Sequence, residues 1–165
     1  MKDLQSIKFW IFDLDNTLYS GNTRVFEQVD KKMTEYISKK LKVDKEEAKK
    51  IQKNYFHKYN TTLNGMIKNH KINAHEFLEF VHDINIEFLQ KDPELAKEIE
   101  RLDGIKIIFT NGSRKHALNV TKRLGVDQLF DDIFDIVDCN FIPKPLMEPY
   151  KKLVEKHKID PKLCV

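Results

Sequence analysis

Asp13 and Asp15 close an apolar run in the stretch "WIFDLDNTLYSG", from Trp10 to Gly21. In an extended chain, residues two apart point to the same side, so the two carboxylates converge wherever extended geometry continues through them. A converging pair of carboxyl groups has chemical uses: one can attack an electrophile while the other carries a proton. Asp-x-Asp is also ordinary turn chemistry, since Asp and Asn start turns and cap helices. A calcium loop is excluded by spacing. With Asp13 as first ligand, the sixth position is Leu18 where glycine is required, and the twelfth is Arg24 where a bidentate Glu belongs.

The elements that must hold this pair follow from periodicity. Ile7 to Phe12 is a nearly continuous apolar run with aromatic and β-branched residues, as expected of a strand buried on both faces. "IKIIF" from Ile105 to Phe109 is a second such run, "IFDIV" from Ile133 to Val137 a weaker third, and Leu163-Cys164-Val165 begins a fourth. Between the first two the pattern is helical, with Val25, Phe26, Val29, Met33, Tyr36, Ile37 and Leu41 at three- and four-residue spacing. Asp44-x-x-Glu47 and Asn73-x-x-Glu76 read as capping boxes, and Asp92-Pro93 as an N-cap followed by a first-turn proline. Ser113 caps a helix that Gly125 stops, and Pro149 starts another.

Strands alternating with helices predict a parallel α/β sheet. The span from Asp13 to Thr110 far exceeds the roughly 30 residues of a simple crossover unit. Its helix-rich excess predicts an inserted all-helical cap over residues 20–90, on a core formed by residues 1–19 and 91–165. The carboxylates fall at the carboxyl end of their strand, where open α/β sheets build ligand crevices.

Composition narrows the function classes. The 165 residues are 41% apolar with eleven Phe, enough for a real core, and 33% charged. The net charge of +3 rests on 25 lysines and only four arginines. Bidentate reading of bases and phosphodiesters favours arginine, so a nucleic-acid polymer is not the expected partner. The lysines from Lys39 to Lys53 alternate with Asp44, Glu46 and Glu47 and read as a solvated helix face. Cys139 and Cys164 form no C-x-x-C pair, which argues against a disulfide framework or a thiolate metal site. "MKDLQSIKFW" carries no signal-peptide or membrane-span pattern, so a cytoplasmic protein without a membrane partner is expected.

"DLDNTL" after an apolar strand resembles the first motif of the haloacid dehalogenase-like (HAD) hydrolases, D-x-D-x-[TV]. "FTNGS", Phe109 to Ser113, resembles the second motif, although it is also good turn chemistry in front of a helix. Lys144-Pro145 in "FIPKPLMEPY" resembles the third. The resemblance implies a Rossmann-like core and a Mg²⁺-dependent phosphomonoester hydrolase working through an aspartyl-phosphate. Asp13 would be the nucleophile, with its carboxylate and the Asp15 backbone carbonyl on the metal. Asp15 would protonate the leaving alkoxide and then activate water. Thr110 and the Asn111 backbone N–H would hold the phosphoryl oxygens, and Lys144 would neutralise charge. An acid at position 15 also separates phosphatases from dehalogenases, whose halide leaves without a proton, and from ion pumps, which carry Thr there.

The stretches "FDLDNTLYSGNTRVFEQVDKKMTEYI", "NYFHKYNTTLNGM" and "LFDDIFDIVDCNFIPKP" are similar to the pyrimidine 5′-nucleotidase-like branch. The implied substrate is a nucleoside monophosphate or a similar small phosphorylated metabolite. Tyr55, His57, Tyr59 and Thr62 are candidate cap contacts, with packing as the competing role for Tyr55, in register with Ile51. The family's fourth motif, an acidic pair after an apolar strand, has no counterpart after "DPKLCV". The expectation is therefore a chain truncated before that motif, and an inactive phosphate-binding module is the first alternative function. A phosphosugar mutase or phosphotransferase, which shares the three visible motifs, is the second.

Overall fold

The protein is described by a computed structural model covering residues 4–165. Three parallel strands form its sheet: β1 (Phe9–Phe12), β2 (Ile105–Phe109) and β3 (Asp132–Phe134), in the order β1-β2-β3. Phe9 is in register with Ile105 and Phe12 with Ile108; Ile107 pairs with Asp132 and Phe109 with Phe134. The fourth apolar run meets the free edge of β1. Cys164 bridges to Phe9 in parallel, and the Ile11 N–H donates to the Val165 carbonyl at 2.7 Å. Three parallel strands with intervening helices make a Rossmann-like α/β fold, as the alternating pattern predicts.

β1 departs from the sequence expectation in burial: all four of its residues are half-buried. The better covered strand is β2, whose Ile107, Ile108 and Phe109 are buried although Ile105 at its start is exposed. β3 is shorter than the apolar run suggested, because Asp135 turns the chain. Its Oδ1 accepts from the N–H groups of Val137 and Asp138, both at 3.0 Å, and its Oδ2 from the Arg114 N–H at 2.7 Å. A buried carboxylate with three backbone donors is well satisfied.

The first four α-helices after β1 are α1 (Val25–Leu41), α2 (Lys45–Tyr59), α3 (Thr62–His70) and α4 (Ala74–Val81). They share an apolar cluster centred on Ile37, Met66, Phe77 and Val81, to which the loop residue Ile136 contributes. Each such side chain, fully buried, contributes roughly 1.5–3 kcal/mol. Asp44 and Asn73 cap α2 and α4 as expected, each accepting backbone N–H groups of the first turn. The Lys39–Lys53 stretch is largely exposed and ion-paired locally, Lys39 with Glu35 and Lys50 with Glu47.

The helix α3 has no clear signature in the sequence, because Gly65 and neighbouring polar residues weaken its propensity. Thr61 caps it through the Asn64 N–H at 3.1 Å, and Thr62 to Met66 are all buried. Gly65 permits the contact that holds it: a Cβ there would stand 2.4 Å from the Tyr55 Cβ. Tertiary packing overrides local preference here.

The remaining helices are α5 (Pro93–Glu100), capped by Asp92; α6 (Arg114–Leu124), capped by Ser113 and closed by Gly125 at φ +75°; and α7 (Met147–His157). α7 starts two residues before the expected Pro149, which lies within its first turn. Leu14, Ile108, Val120 and Val126 lie fully buried in a second apolar cluster, which joins α6 and neighbouring segments to one side of the sheet. No helix among the described residues is long and apolar enough to cross a membrane.

Candidate active site

β1 ends at Phe12, one residue before Asp13, so the carboxylate pair lies just past the paired strand. Alternation continues through them. Leu14 is fully buried in the core, while Asp13 and Asp15 on either side of it both line one cavity of about 290 Å³. Asn16 then adopts φ 59°, a left-handed conformation that Asn tolerates, and the chain turns on the Leu18 N–H to Leu14 carbonyl bond.

The cavity also brings together Thr110, Asn111 and Lys144, from the end of β2 and the loop before α7. Lys144 Nζ donates to Asp13 Oδ1 at 2.8 Å and to the Phe109 carbonyl. Thr17 donates its hydroxyl to Asp13 Oδ2 at 3.1 Å. The Lys144 backbone is fixed as well: its N–H donates to Asn111 Oδ1 at 2.8 Å, and its carbonyl accepts from Asn111 Nδ2 at 3.2 Å. Asn111 thus spends its side chain on locking the lysine loop. Thr110 is buried, and its Oγ1 accepts the Gly112 N–H at 2.9 Å, which leaves its own hydroxyl hydrogen to be donated elsewhere.

The two carboxylates have unlike surroundings. The Asp13 side chain is 47% exposed and the Asp15 side chain 20%. Asp15 Oδ1 receives the Tyr19 hydroxyl at 2.5 Å and stands 2.8 Å from His116 Nε2. Burial pushes the Asp15 carboxyl upward, but the hydrogen bond and charge of His116, together with the Tyr19 hydroxyl, outweigh it. They hold Asp15 below the usual carboxylate range. Tyr19 is driven the other way, by burial and then by the Asp15 charge, so its hydroxyl stays protonated. His116 stacks on His82, with ring centres 4.3 Å apart, and His82 Nδ1 lies 3.0 Å from the Ser113 Oγ. Burial and the neighbouring His116 pull His82 down to about 3, against the opposing attraction of Asp15.

Across the cavity the wall is mainly apolar. Phe26, Met33, Phe56, Leu63, Phe77 and Val81 line it, relieved by Asn60, Thr61 and Thr62. Of the four candidate contacts from this region, only Thr62 lines the cavity. Tyr55 instead packs against Gly65 and reaches His70 Nε2 at 2.7 Å, and neither His57 nor Tyr59 lines the cavity. Phe26, one of the apolar residues of the helical pattern, is 43% exposed at the cavity wall.

Reading the sequence missed Tyr19, His82 and His116. Tyr19 lies four residues after Asp15 in the same stretch, and His116 lies in the first turn of the helix that follows Thr110. Those positions were the available signals. His82 had none.

Asp13 and Asp15 offer oxygen donors of the kind that a small, hard divalent cation takes. Magnesium is ordinarily held by one or two carboxylates, with water and substrate oxygens completing its shell. The donor chemistry therefore fits that ion, although no group of three or more potential ligands gathers among the described residues.

The fold and site define a Rossmann-like α/β protein that presents a lysine-paired carboxylate at its strand ends. A model of the haloacid dehalogenase-like hydrolases matches residues 7–165, and the chain belongs to that family. It is 29% identical over 136 residues to Phosphate metabolism protein 8 of Saccharomyces cerevisiae. That match covers 76% of this chain and 42% of the yeast protein, so the chain spans less than half of this relative's length. Among solved structures, HAD-hydrolase YfnB from Bacillus subtilis, bound to magnesium, aligns with TM-score 0.55 at 17% identity over 96% of this chain and 76% of that one. L-2-haloacid dehalogenase from Xanthobacter autotrophicus, with chloropropionic acid covalently bound, aligns with TM-score 0.55 at 13% identity over 96% and 68%. These structural likenesses speak to the fold.

Proposed function

We propose that this hydrolase is a phosphatase of small phosphomonoesters, acting through an aspartyl-phosphate on Asp13. The observation that carries the reading is the 2.8 Å pairing of Lys144 Nζ with Asp13 Oδ1, inside a cavity that also holds Asp15 and the Thr110 hydroxyl. An ammonium beside a carboxylate reduces its repulsion from a phosphoryl group and stabilises the charge that develops during transfer. Asp13 attacks phosphorus, and the P–O bond to the leaving group breaks as Asp15 gives that oxygen a proton. Asp15 then takes a proton from water, whose oxygen attacks phosphorus and frees phosphate and the Asp13 carboxylate. Thr110 donates its hydroxyl to a phosphoryl oxygen, with help from the Asn111 N–H. Magnesium, held by the Asp13 carboxylate and the Asp15 backbone carbonyl, would supply further charge neutralisation.

The presence of Asp15 favours an alkoxide leaving group over a halide. The relative named for phosphate metabolism is in keeping with this. We read residues 20–90 as a cap over a core of residues 1–19 and 91–165, with the cap helices selecting the leaving group. A wall of Phe26, Met33 and Phe56 with a few polar groups suits a flat, uncharged ring. Lys144 is the only lysine or arginine lining the cavity among the described residues, which suits a single phosphate. A pyrimidine nucleoside monophosphate satisfies both conditions.

Phosphate release by the full-length natural protein with Mg²⁺ tests the reading, on a panel of pyrimidine and purine monophosphates and p-nitrophenyl phosphate. Release is expected, fastest with the pyrimidine nucleotides, and Asp13→Asn should lower it by a factor on the order of 10³ or more. An absence of release from the whole panel defeats the phosphatase reading, and an active Asp13→Asn variant defeats the covalent one.

A further inference from the structure

Both hydrogen bonds to Asp15 land on the same atom. Tyr19 and His116 converge on Oδ1, at 2.5 and 2.8 Å, from a turn in the polypeptide after β1 and from the first turn of α6. Asp15 Oδ2 receives no hydrogen bond among the described residues. It lies beside Gly112, where an added Cβ would stand 3.6 Å from it and 3.4 Å from the His116 ring. The His116 ring is itself fixed on several sides. It is 3% exposed, stacks within 10° of parallel on His82, and sits in a turn whose N-cap, Ser113, also reaches His82 Nδ1. His82 follows directly on α4, so the stack joins the helical insertion to the strand-end site.

We propose that His116 and Tyr19 are positioning residues for proton transfer, and that by holding Oδ1 they assign the travelling proton to Asp15 Oδ2. The inference rests on the phosphatase reading above and adds to it which atom does the work. A carboxyl group can rotate to offer either oxygen. Two donors from separate elements on one oxygen suppress that rotation, so the carboxyl meets the leaving group in a single orientation, and proximity of this kind lowers the barrier. In the first half-reaction Oδ2 takes up a proton brought by the phosphomonoester monoanion and passes it to the leaving oxygen as the P–O bond breaks. In the second, Oδ2 takes a proton from the attacking water and returns it to the departing phosphate, which restores the carboxylate. Tyr19 and His116 keep their own protons throughout.

Leaving groups of different basicity test the idea, because p-nitrophenolate departs with little help from an acid while a primary alkoxide needs the proton. The measurement is kcat/KM, which reports only steps up to loss of the leaving group, on glycerol phosphate and p-nitrophenyl phosphate. It is made in the full-length protein and in its Tyr19→Phe, His116→Ala and His116→Gln variants. For Tyr19→Phe and His116→Ala, the value on glycerol phosphate should fall about tenfold to a hundredfold, a share of what general acid catalysis contributes. On p-nitrophenyl phosphate it should fall no more than about threefold, because little proton transfer is needed there. His116→Gln, which keeps an N–H donor, should recover most of the glycerol phosphate rate. Equal losses on both substrates, or losses that follow melting temperature with no rescue by Gln, mark a merely structural role and overturn the proposal. A wild-type protein inactive on both substrates removes the phosphatase reading and the clamp together. An active wild type whose variants keep the same substrate ratio removes the clamp alone.

Discussion

The wall of the cavity at the strand ends and the wall contributed by α1 to α4 are built on opposite principles. At the strand ends nearly every polar side chain is tied down: Asn111 locks the Lys144 backbone, Lys144 reaches Asp13, and two donors hold Asp15. Across from them, Phe26 and Phe56 are 43% and 55% exposed, and their rings carry no charged or hydroxyl group that could tie them down. The difference shows where precision is needed. Charge stabilisation requires groups held before the substrate arrives, since reorientation during reaction weakens the gain. An apolar surface needs only to be the right width and dry, because hydrophobic contact is non-directional.

Substitutions on the two walls should therefore fail in different ways. Lys144→Ala leaves Asp13 without its cation and should lower kcat/KM by about 10²–10³, as loss of one preorganised electrostatic partner typically does. Steady-state kinetics on p-nitrophenyl phosphate reads this, and a change confined to KM would mean that the strand-end wall merely binds. Gly65→Ala probes the helical wall from behind, since its Cβ would collide with that of Tyr55. It should cost about 1–3 kcal/mol of stability, the usual price of overpacking. At this chain length that corresponds to a thermal midpoint lower by roughly 2–4 °C per kcal/mol, readable by circular dichroism. An unchanged midpoint would show that α2 and α3 are not pressed together as described. Phe56→Ala should have the smallest effect, about a threefold to tenfold rise in KM for an aromatic phosphomonoester with kcat nearly constant, in proportion to the apolar area lost. A loss in kcat as large as that of Lys144→Ala would erase the contrast between the walls.

Much of this arrangement was legible in the chain. The second strand was read with its exact limits, and the caps Asp44, Asn73, Asp92 and Ser113 all act where spacing placed them. Those features are local, set by a few consecutive residues. α3 was not legible, because its stability comes from burying Thr62 to Met66 and from one close approach at Gly65. The aromatic stretch from Tyr55 to Tyr59 misled for a related reason. Periodicity shows that a face is apolar, not which neighbour covers it, and Phe56 rather than Tyr55 meets the cavity.

By itself the sequence singled out the five polar residues that meet at the strand ends. Asp13, Asp15, Thr110, Asn111 and Lys144 carry their chemistry in their residue types and their places at the ends of apolar runs, and the fold brings all five to one cavity. Only the tertiary structure decided how the two carboxylates differ. Asp13 lies open beside a lysine, whereas Asp15 is enclosed and held through one oxygen by Tyr19 and His116. His116 lies far from Asp15 along the chain, and His82, at the end of α4, meets the His116 ring in the first turn of α6 only through the fold. Hydrogen-bond partners and burial set the behaviour of a carboxyl group, and those are properties of the neighbourhood in space that no spacing along the chain encodes.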